Sequence, residues 1–534
     1  MTSVRDATLD RMRGCGLTTI FANPGSTEIP FLADLPEDLR FVLALHEASV
    51  VGVAAGYALA TDRPAFVNVH TTAGLGNAVG ALATARVNRV PLVVVVGQQD
   101  RRHLELEPFL TGRLAGLAGD YPVAVHQPAR PQDLPALIAR AHHEATTARG
   151  PTLVVAPMGD WSAPMDSDPP AVPTRVVRPV TVDPDSLGDV LDLARAATRP
   201  AVVAGAGADS PGTWEALALL AERLSAPVWQ EAFGARAGFP QDHHLFAGHL
   251  SSSREQLRAA LAGHDLVLVV GAIAFRQYQY EPGPFVDPDA RVVVLTDDPA
   301  QAQRSAADLA VLAPVEPTVR ALADRLDAHR SAPTPASNRR AGEQSSAAGP
   351  LTSTNVFHAL AARIRPDTFL VEEAPSDRPE LERTVPVRRP LGFLSAAMGG
   401  LGFGLPAAIG LRLACPETPV VAVLGDGSSL YSVQALWTAV HYRCGVLVVV
   451  LANGGYAVMD QLAASNGAKG PWPGFPEVSV GTVARGFGCP VRTVASRADL
   501  EAELDDIMPG LPDRDEPVVL EATVTLGSSP SSSR

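Results

Sequence analysis

Short apolar runs rich in valine and other β-branched residues recur along the chain, separated by alanine- and leucine-rich stretches with helical spacing. IFAN (20–23), FVLAL (41–45), AFVNVH (65–70), PLVVVVG (91–97) and TLVVAP (152–157) predict buried strands of a first unit. PAVVAGAG (200–207), APVWQEA (226–232), LVLVVGA (266–272) and RVVVLTD (291–297) predict those of a second. TFLVEEA (368–374), PVVAVLGDG (419–427), GVLVVVLANGG (445–455) and PVVLEATV (517–524) predict those of a third. Strands apolar on both faces and alternating with helices mark parallel sheets covered on each side. The expected fold is α/β, with three doubly wound parallel-sheet domains at residues 1–165, 183–328 and 350–527. A proline-rich segment (162–185) and a polar Ala/Ser/Pro segment (327–350) read as linkers, and the tail GSSPSSSR as disordered.

Composition narrows the function. The 43 Lys and Arg against 57 Asp and Glu give a net charge of −14, which argues against an electrostatic grip on nucleic acid or anionic lipid. Cys15, Cys415, Cys444 and Cys489 are far apart in sequence and form no C-x-x-C pair, so neither a disulfide framework nor a thiolate metal cluster is expected, and a reducing compartment fits. The N-terminus lacks an apolar signal core, and the longest apolar runs are of strand length, far short of a membrane span. The expectation is a cytoplasmic protein.

Candidate chemistry concentrates in LGDGSSLYSVQALWTAVHYRCGVLVVVLANGGY (424–456). Asp426, between Gly425 and Gly427, falls at the carboxyl end of one strand, where open α/β sheets collect ligands. A helix is expected over SLYSVQALWTAVHY, and the next strand ends in Asn453, Gly454 and Gly455. A carboxylate, an amide oxygen and an accessible carbonyl are hard donors that suit Mg²⁺ or Ca²⁺ with positions left for phosphate oxygens. PAVVAGAGADS, opening the second unit, has a Rossmann-type glycine turn, a pattern shared with turns whose glycines serve packing alone.

GDGS followed one strand–helix–strand unit later by Asn resembles the diphosphate-binding signature of thiamine diphosphate (ThDP) enzymes. NPGSTEIPF, LHEASVVGVAAGYALAT, NVHTTAGLGNAVGAL, PLVVVVGQQ, LAERLSAPVW, FRQYQYEPG, GGLGFGLPAAIG and GDGSSLYSVQALWTA, spread over all three units, are similar to the benzoylformate decarboxylase branch. The resemblance implies a pyrimidine-binding, a middle and a diphosphate-binding domain, and the nonoxidative decarboxylation of an aromatic or branched 2-oxo acid to an aldehyde. It implies a metal held by Asp426, Asn453 and the Gly455 carbonyl, with Gly425, Gly427, Ser428, Tyr456 and Ser376 near the diphosphate. Pro375, beside Ser376, lacks the hydroxyl that the family has there. By the same resemblance Glu47 contacts the aminopyrimidine ring, Leu401 wedges between the cofactor's rings, Ser26 binds the substrate and His70 passes protons. Tyr278 stands where the family has a second catalytic histidine. A phenol is a weak proton shuttle near neutrality, which keeps open a carboligase or lyase of the acetolactate synthase or benzaldehyde lyase kind, beside a non-catalytic ThDP-binding protein. The implied pocket wall is Pro24, Phe109, Leu110, Ser395, Val458, Met459 and Leu462, apolar in character, with Ser395 and Leu462 replacing aromatics. A flavin is not expected. A homo-oligomer is, at least a dimer and by family habit a tetramer, with active sites shared between subunits.

Overall fold

The computed structural model describes residues 2–166, 176, 180–327 and 349–525. The expected linkers and tail fall for the most part outside these residues. Among the described residues eighteen strands form three six-stranded sheets, and the strands within each sheet pair in parallel. The first sheet holds β1 (Thr19–Asn23), β2 (Arg40–Leu43), β3 (Ala65–Val69), β4 (Leu92–Gln98), β5 (Ala124–His126) and β6 (Pro151–Pro157), in the order β2-β1-β3-β4-β6-β5. The second holds β7 (Pro200–Ala204), β8 (Val228–Gln230), β9 (Phe246–His249), β10 (Leu266–Val270), β11 (Arg291–Thr296) and β12 (Leu309–Leu312), in the order β12-β11-β10-β7-β8-β9. The third holds β13 (Phe369–Glu373), β14 (Phe393–Ser395), β15 (Val420–Gly425), β16 (Leu447–Ala452), β17 (Val491–Val494) and β18 (Val518–Thr523), in the order β14-β13-β15-β16-β18-β17. First and third sheets therefore share one topology, and the middle sheet has the Rossmann order. Topology also says where to look for a site. Strand order reverses between β1 and β3 in the first sheet and between β13 and β15 in the third, and such reversals open a crevice at the strands' carboxyl ends.

The first and third sheets are joined by a continuous apolar core that runs from Phe21 and Val67 to Ala422 and Val448. Helices Glu47–Thr61 and Gly404–Ala414 cross at its centre. Their backbones touch: a Cβ on Gly56 would stand 2.0 Å from the Ala407 carbonyl oxygen, and one on Gly410 would stand 2.0 Å from that of Val53. No larger side chain fits at either position without parting the helices. The middle unit meets both through buried polar contacts. Arg236 pairs with Asp209 at 3.0 Å and donates to the Asn88 carbonyl, while Asn88 Nδ2 donates to the Ser395 carbonyl at 2.9 Å.

One open reading is decided by the structure and one expectation is corrected. The glycine turn of the middle unit packs directly on Gly271, with Gly207 N donating to Gly271 O at 2.8 Å, and the Ala206 amide is taken by Glu231 Oε1 at 2.8 Å. A carboxylate there disfavours a phosphate, and the glycines serve loop packing. The single helix expected over SLYSVQALWTAVHY is broken into Asp426–Ser429 and Ala435–His441. Ser429 donates its hydroxyl to the Gly425 carbonyl at 2.7 Å, and Ser428 donates its own to the Glu373 carbonyl at 2.6 Å. Such side-chain bonds compete with helix continuation.

Candidate active site

At the β13/β15 reversal, Asp426 begins the turn after β15 and is 3% exposed. Its Oδ1 accepts from the Gly427 amide at 2.7 Å, and its Oδ2 accepts from the amides of Asn453 (2.9 Å) and Gly454 (2.7 Å). The tips of β15 and β16 are thus drawn together, as the sequence pattern required. Asn453 Oδ1 accepts from the Gly455 amide at 3.0 Å, and Gly454 holds φ +69, a conformation natural to glycine. Burial pushes the Asp426 carboxyl above its ordinary range, and the three amides pull against that shift. Among the described residues no cationic side chain pairs with it. A buried carboxylate without a cation, beside an amide oxygen and a glycine carbonyl, fits a divalent ion with hard-oxygen preference. Tyr456 and Phe475 pack edge to face at 5.1 Å over Gly427, where a Cβ would meet their rings at 3.1 and 3.2 Å. Ser428 Oγ is engaged by the Glu373 carbonyl at 2.6 Å, while Ser376 is half-buried on the turn after β13.

Leu401 projects from a glycine loop and is 37% exposed. The loop is held from beneath by Glu373, the last residue of β13 and 6% exposed, whose carboxylate accepts from the amides of Gly402 (2.7 Å), Phe403 (2.8 Å) and Gly404 (2.6 Å). Burial pushes this carboxyl up to about 7 despite those bonds. Glu373→Ala would leave three buried donors unmatched, each worth about 1–3 kcal/mol.

At the β1/β3 reversal, Glu47 follows β2, which ends at Leu43, and opens helix Glu47–Thr61. It is 7% exposed and again has no cationic partner among the described residues. Asn23 Nδ2 donates to Oε1 and Asn77 Nδ2 to Oε2, both at 3.0 Å. His70, just after β3, sets Nδ1 2.9 Å from Glu28 Oε2 and 3.0 Å from Thr27 Oγ1. Thr27 Oγ1 donates to Glu28 Oε1 at 2.6 Å and the Gly25 amide to Oε2 at 2.7 Å. With a carboxylate facing Nδ1, the imidazole proton is assigned to that nitrogen, which leaves Nε2 with no partner among the described residues. The turn Pro24–Gly25–Ser26 lies against the ring: a Cβ on Gly25 would overlap His70 at 2.4 Å. Ser26 is exposed beside it.

The remaining expected residues fall on surrounding loops. Phe109 is 86% exposed, with its carbonyl held by Gln99 Nε2 at 2.8 Å, and Leu110 follows at φ +70. Val458, Met459 and Leu462 lie on helix Ala457–Ser465. Tyr278 is 62% exposed, its ring 6.1 Å from that of Phe233. Ser395 departs from the expected open wall. It is 1% exposed and lies beneath Arg378, whose Nη1 donates to its Oγ at 3.1 Å.

Each of the two sheet reversals thus carries a buried carboxylate, Glu47 at one and Asp426 at the other, with no cationic partner among the described residues. The chain also has relatives along its whole length. Residues 2–117 match the thiamine pyrophosphate enzyme N-terminal TPP binding domain, 187–322 the central domain and 379–522 the C-terminal TPP binding domain. The chain belongs to the thiamine pyrophosphate enzymes, among those of the decarboxylase type. It is 35% identical over 525 residues to benzoylformate decarboxylase of Pseudomonas aeruginosa, with 98% of each chain covered. It is 26% identical over 519 residues to acetolactate synthase isozyme 1 large subunit of Escherichia coli, covering 92% of this chain and 89% of that one. The solved ThDP-dependent 4-hydroxybenzoylformate decarboxylase of Rhodococcus jostii superposes with a TM-score of 0.93 at 33% identity, covering 99% of this chain and 100% of that one. Among the described residues no helix is long and apolar enough to cross a membrane.

Proposed function

We propose that the protein decarboxylates an aromatic or branched 2-oxo acid to an aldehyde and CO₂ without oxidation, using ThDP and Mg²⁺ or Ca²⁺. The observation that carries this reading is the environment of Glu47: a buried acid with no cation among the described residues, held by two amide donors, in a chain related end to end to benzoylformate decarboxylase. When bound, ThDP supplies a carbon nucleophile for the ketone and an electron sink for the departing carboxylate. Glu47 would hold a proton at the pyrimidine edge, and Leu401 would pack against the cofactor's rings. Asp426, Asn453 and the Gly455 carbonyl hold the metal, with Gly425, Gly427, Ser428, Ser376 and Tyr456 lining the diphosphate. Ser26 orients the substrate, and His70 exchanges protons through Nε2, its ring fixed by Glu28. Pro24, Phe109, Leu110, Val458, Met459 and Leu462 exclude water around the reacting atoms.

Glu28→Gln is expected to lower turnover about tenfold and to alter the pH profile, since an amide no longer fixes the tautomer of His70. A profile identical to wild type would contradict that role. Stripping with chelator and dialysis is expected to abolish aldehyde formation, and ThDP with Mg²⁺ together to restore it. Activity that survives stripping would overturn the cofactor assignment.

Shared sites between copies are supported by the apolar residues left exposed around each half: Leu106 (81%), Phe109 and Met459 (41%). A homo-oligomer, a dimer at the least, covers them. The second reading, carboligation, rests on Tyr278 and on the acetolactate synthase relatives. Tyr278→His is expected to raise the ratio of free aldehyde to acyloin severalfold, and an unchanged ratio would count against a protonating role at this position.

A further inference from the structure

A cavity of about 420 Å³ opens between the middle and third sheets, walled by Trp229, Phe233, Phe246 and His249 on one side and by Pro375 and Arg378 on the other. Its position ties it to the reaction. Pro375 adjoins Ser376, and Phe233 packs on Tyr278. Arg276 Nη1 donates to both the Phe233 and the Ala397 carbonyls, at 3.3 and 3.1 Å, joining this wall to the loop that carries Leu401. A void of roughly 150 Å³ accommodates benzene, so a phenyl group alone would leave much of this space unfilled.

The polar lining is biased toward donors. Arg378 is largely buried, with its side chain 13% exposed. Of the five guanidinium hydrogens, Nε donates to Glu382 Oε1 at 2.7 Å, Nη1 donates to Ser395 Oγ and lies 3.5 Å from Glu372 Oε2, and Nη2 donates to the Gly234 carbonyl at 3.0 Å. One Nη2 hydrogen has no partner among the described residues. The indole Nε1 of Trp229 is likewise buried without a partner. The nearest carboxylate on the wall, Glu382, is already engaged by Arg378. The small, buried side chain of Ser395 lies beneath the guanidinium and accepts one of its hydrogens.

We propose that this cavity receives the far end of the substrate side chain, and that Arg378 selects 2-oxo acids whose side chain ends in a hydrogen-bond acceptor, a phenol oxygen or a carboxylate. The proposal rests on the decarboxylase reading. An acceptor entering the cavity can meet the remaining Nη2 hydrogen of Arg378, whereas a plain phenyl group offers it nothing. Sites built to bond a polar group discriminate strongly against analogues that lack it.

The test compares kcat/KM for benzoylformate, its 4-hydroxy derivative and its 4-carboxy derivative, in the holoenzyme and in Arg378→Met. Wild type is expected to favour at least one substituted acid over benzoylformate by more than tenfold, the better of the two identifying the acceptor. Arg378→Met is expected to collapse that ratio toward unity. Arg378→Lys, which keeps the charge but loses the planar fork of donors, is expected to lower the ratio severalfold and stands in should Arg378→Met fail to fold. Equal use of all three acids by wild type, or a ratio unmoved by both substitutions, would overturn the inference while leaving the decarboxylase reading intact. Absence of CO₂ from every acid would overturn the decarboxylase reading, and this inference with it.

Discussion

Glu47→Gln is expected to lower turnover by about a hundred- to ten-thousandfold at saturating ThDP and Mg²⁺, the range over which a positioned acid–base group acts. The substitution keeps the size of the side chain, so the protein should remain folded by circular dichroism. What changes is proton affinity and hydrogen-bond polarity. Asn23 and Asn77 each aim an N–H₂ group at one carboxylate oxygen. Two donors read an acceptor-only group, and glutamine offers an oxygen to just one of them. The other meets a second N–H₂ group, and no carboxylate remains to hold a proton at the pyrimidine edge. Turnover within a few-fold of wild type would remove Glu47 from the mechanism.

Asp426→Ala is expected to raise the ThDP requirement at fixed Mg²⁺ by more than a hundredfold, equivalent to about 3 kcal/mol or more. Two losses combine here. The cation loses its anionic ligand, and three amides at Gly427, Asn453 and Gly454 lose the acceptor that draws β15 and β16 together. Titration of reconstituted activity measures the effect, and calorimetric titration of Mg²⁺ in the presence of ThDP separates metal from cofactor. An unchanged requirement for both would place the metal elsewhere.

The sheets were legible wherever a strand is a continuous apolar run. The strands that the hydrophobic pattern missed, β5, β9, β12, β14 and β17, all lie at sheet edges. These edge strands are only three or four residues long; β14 is buried throughout but spans just Phe393–Ser395, while Leu309–Leu312 alternates in burial and Val491–Val494 is largely exposed. The site divides in a similar way. Asp426 and Asn453 stood out because their chemistry is local to two strand tips. Glu28, Asn23, Asn77 and Glu373 did not, because each acts on a residue brought near by folding: Glu28 meets His70 across 42 positions, and Glu373 meets the 402–404 amides across about 30. Arg378 reads in sequence as one more charged residue opening a helix. Only the packing of the middle unit against the third shows it buried over Ser395. A partial sign was present in the doubled acid of LVEEA, where a strand expected to be buried ends in two carboxylates, both of which fold inward.

The central claim is loss of CO₂ from a 2-oxo acid. Its most direct test is product stoichiometry after incubating the protein with ThDP, Mg²⁺ and a panel of aryl and branched 2-oxo acids. The account predicts CO₂ and free aldehyde in equal amounts from at least one of them. No CO₂ from any acid, with ThDP bound, would contradict it.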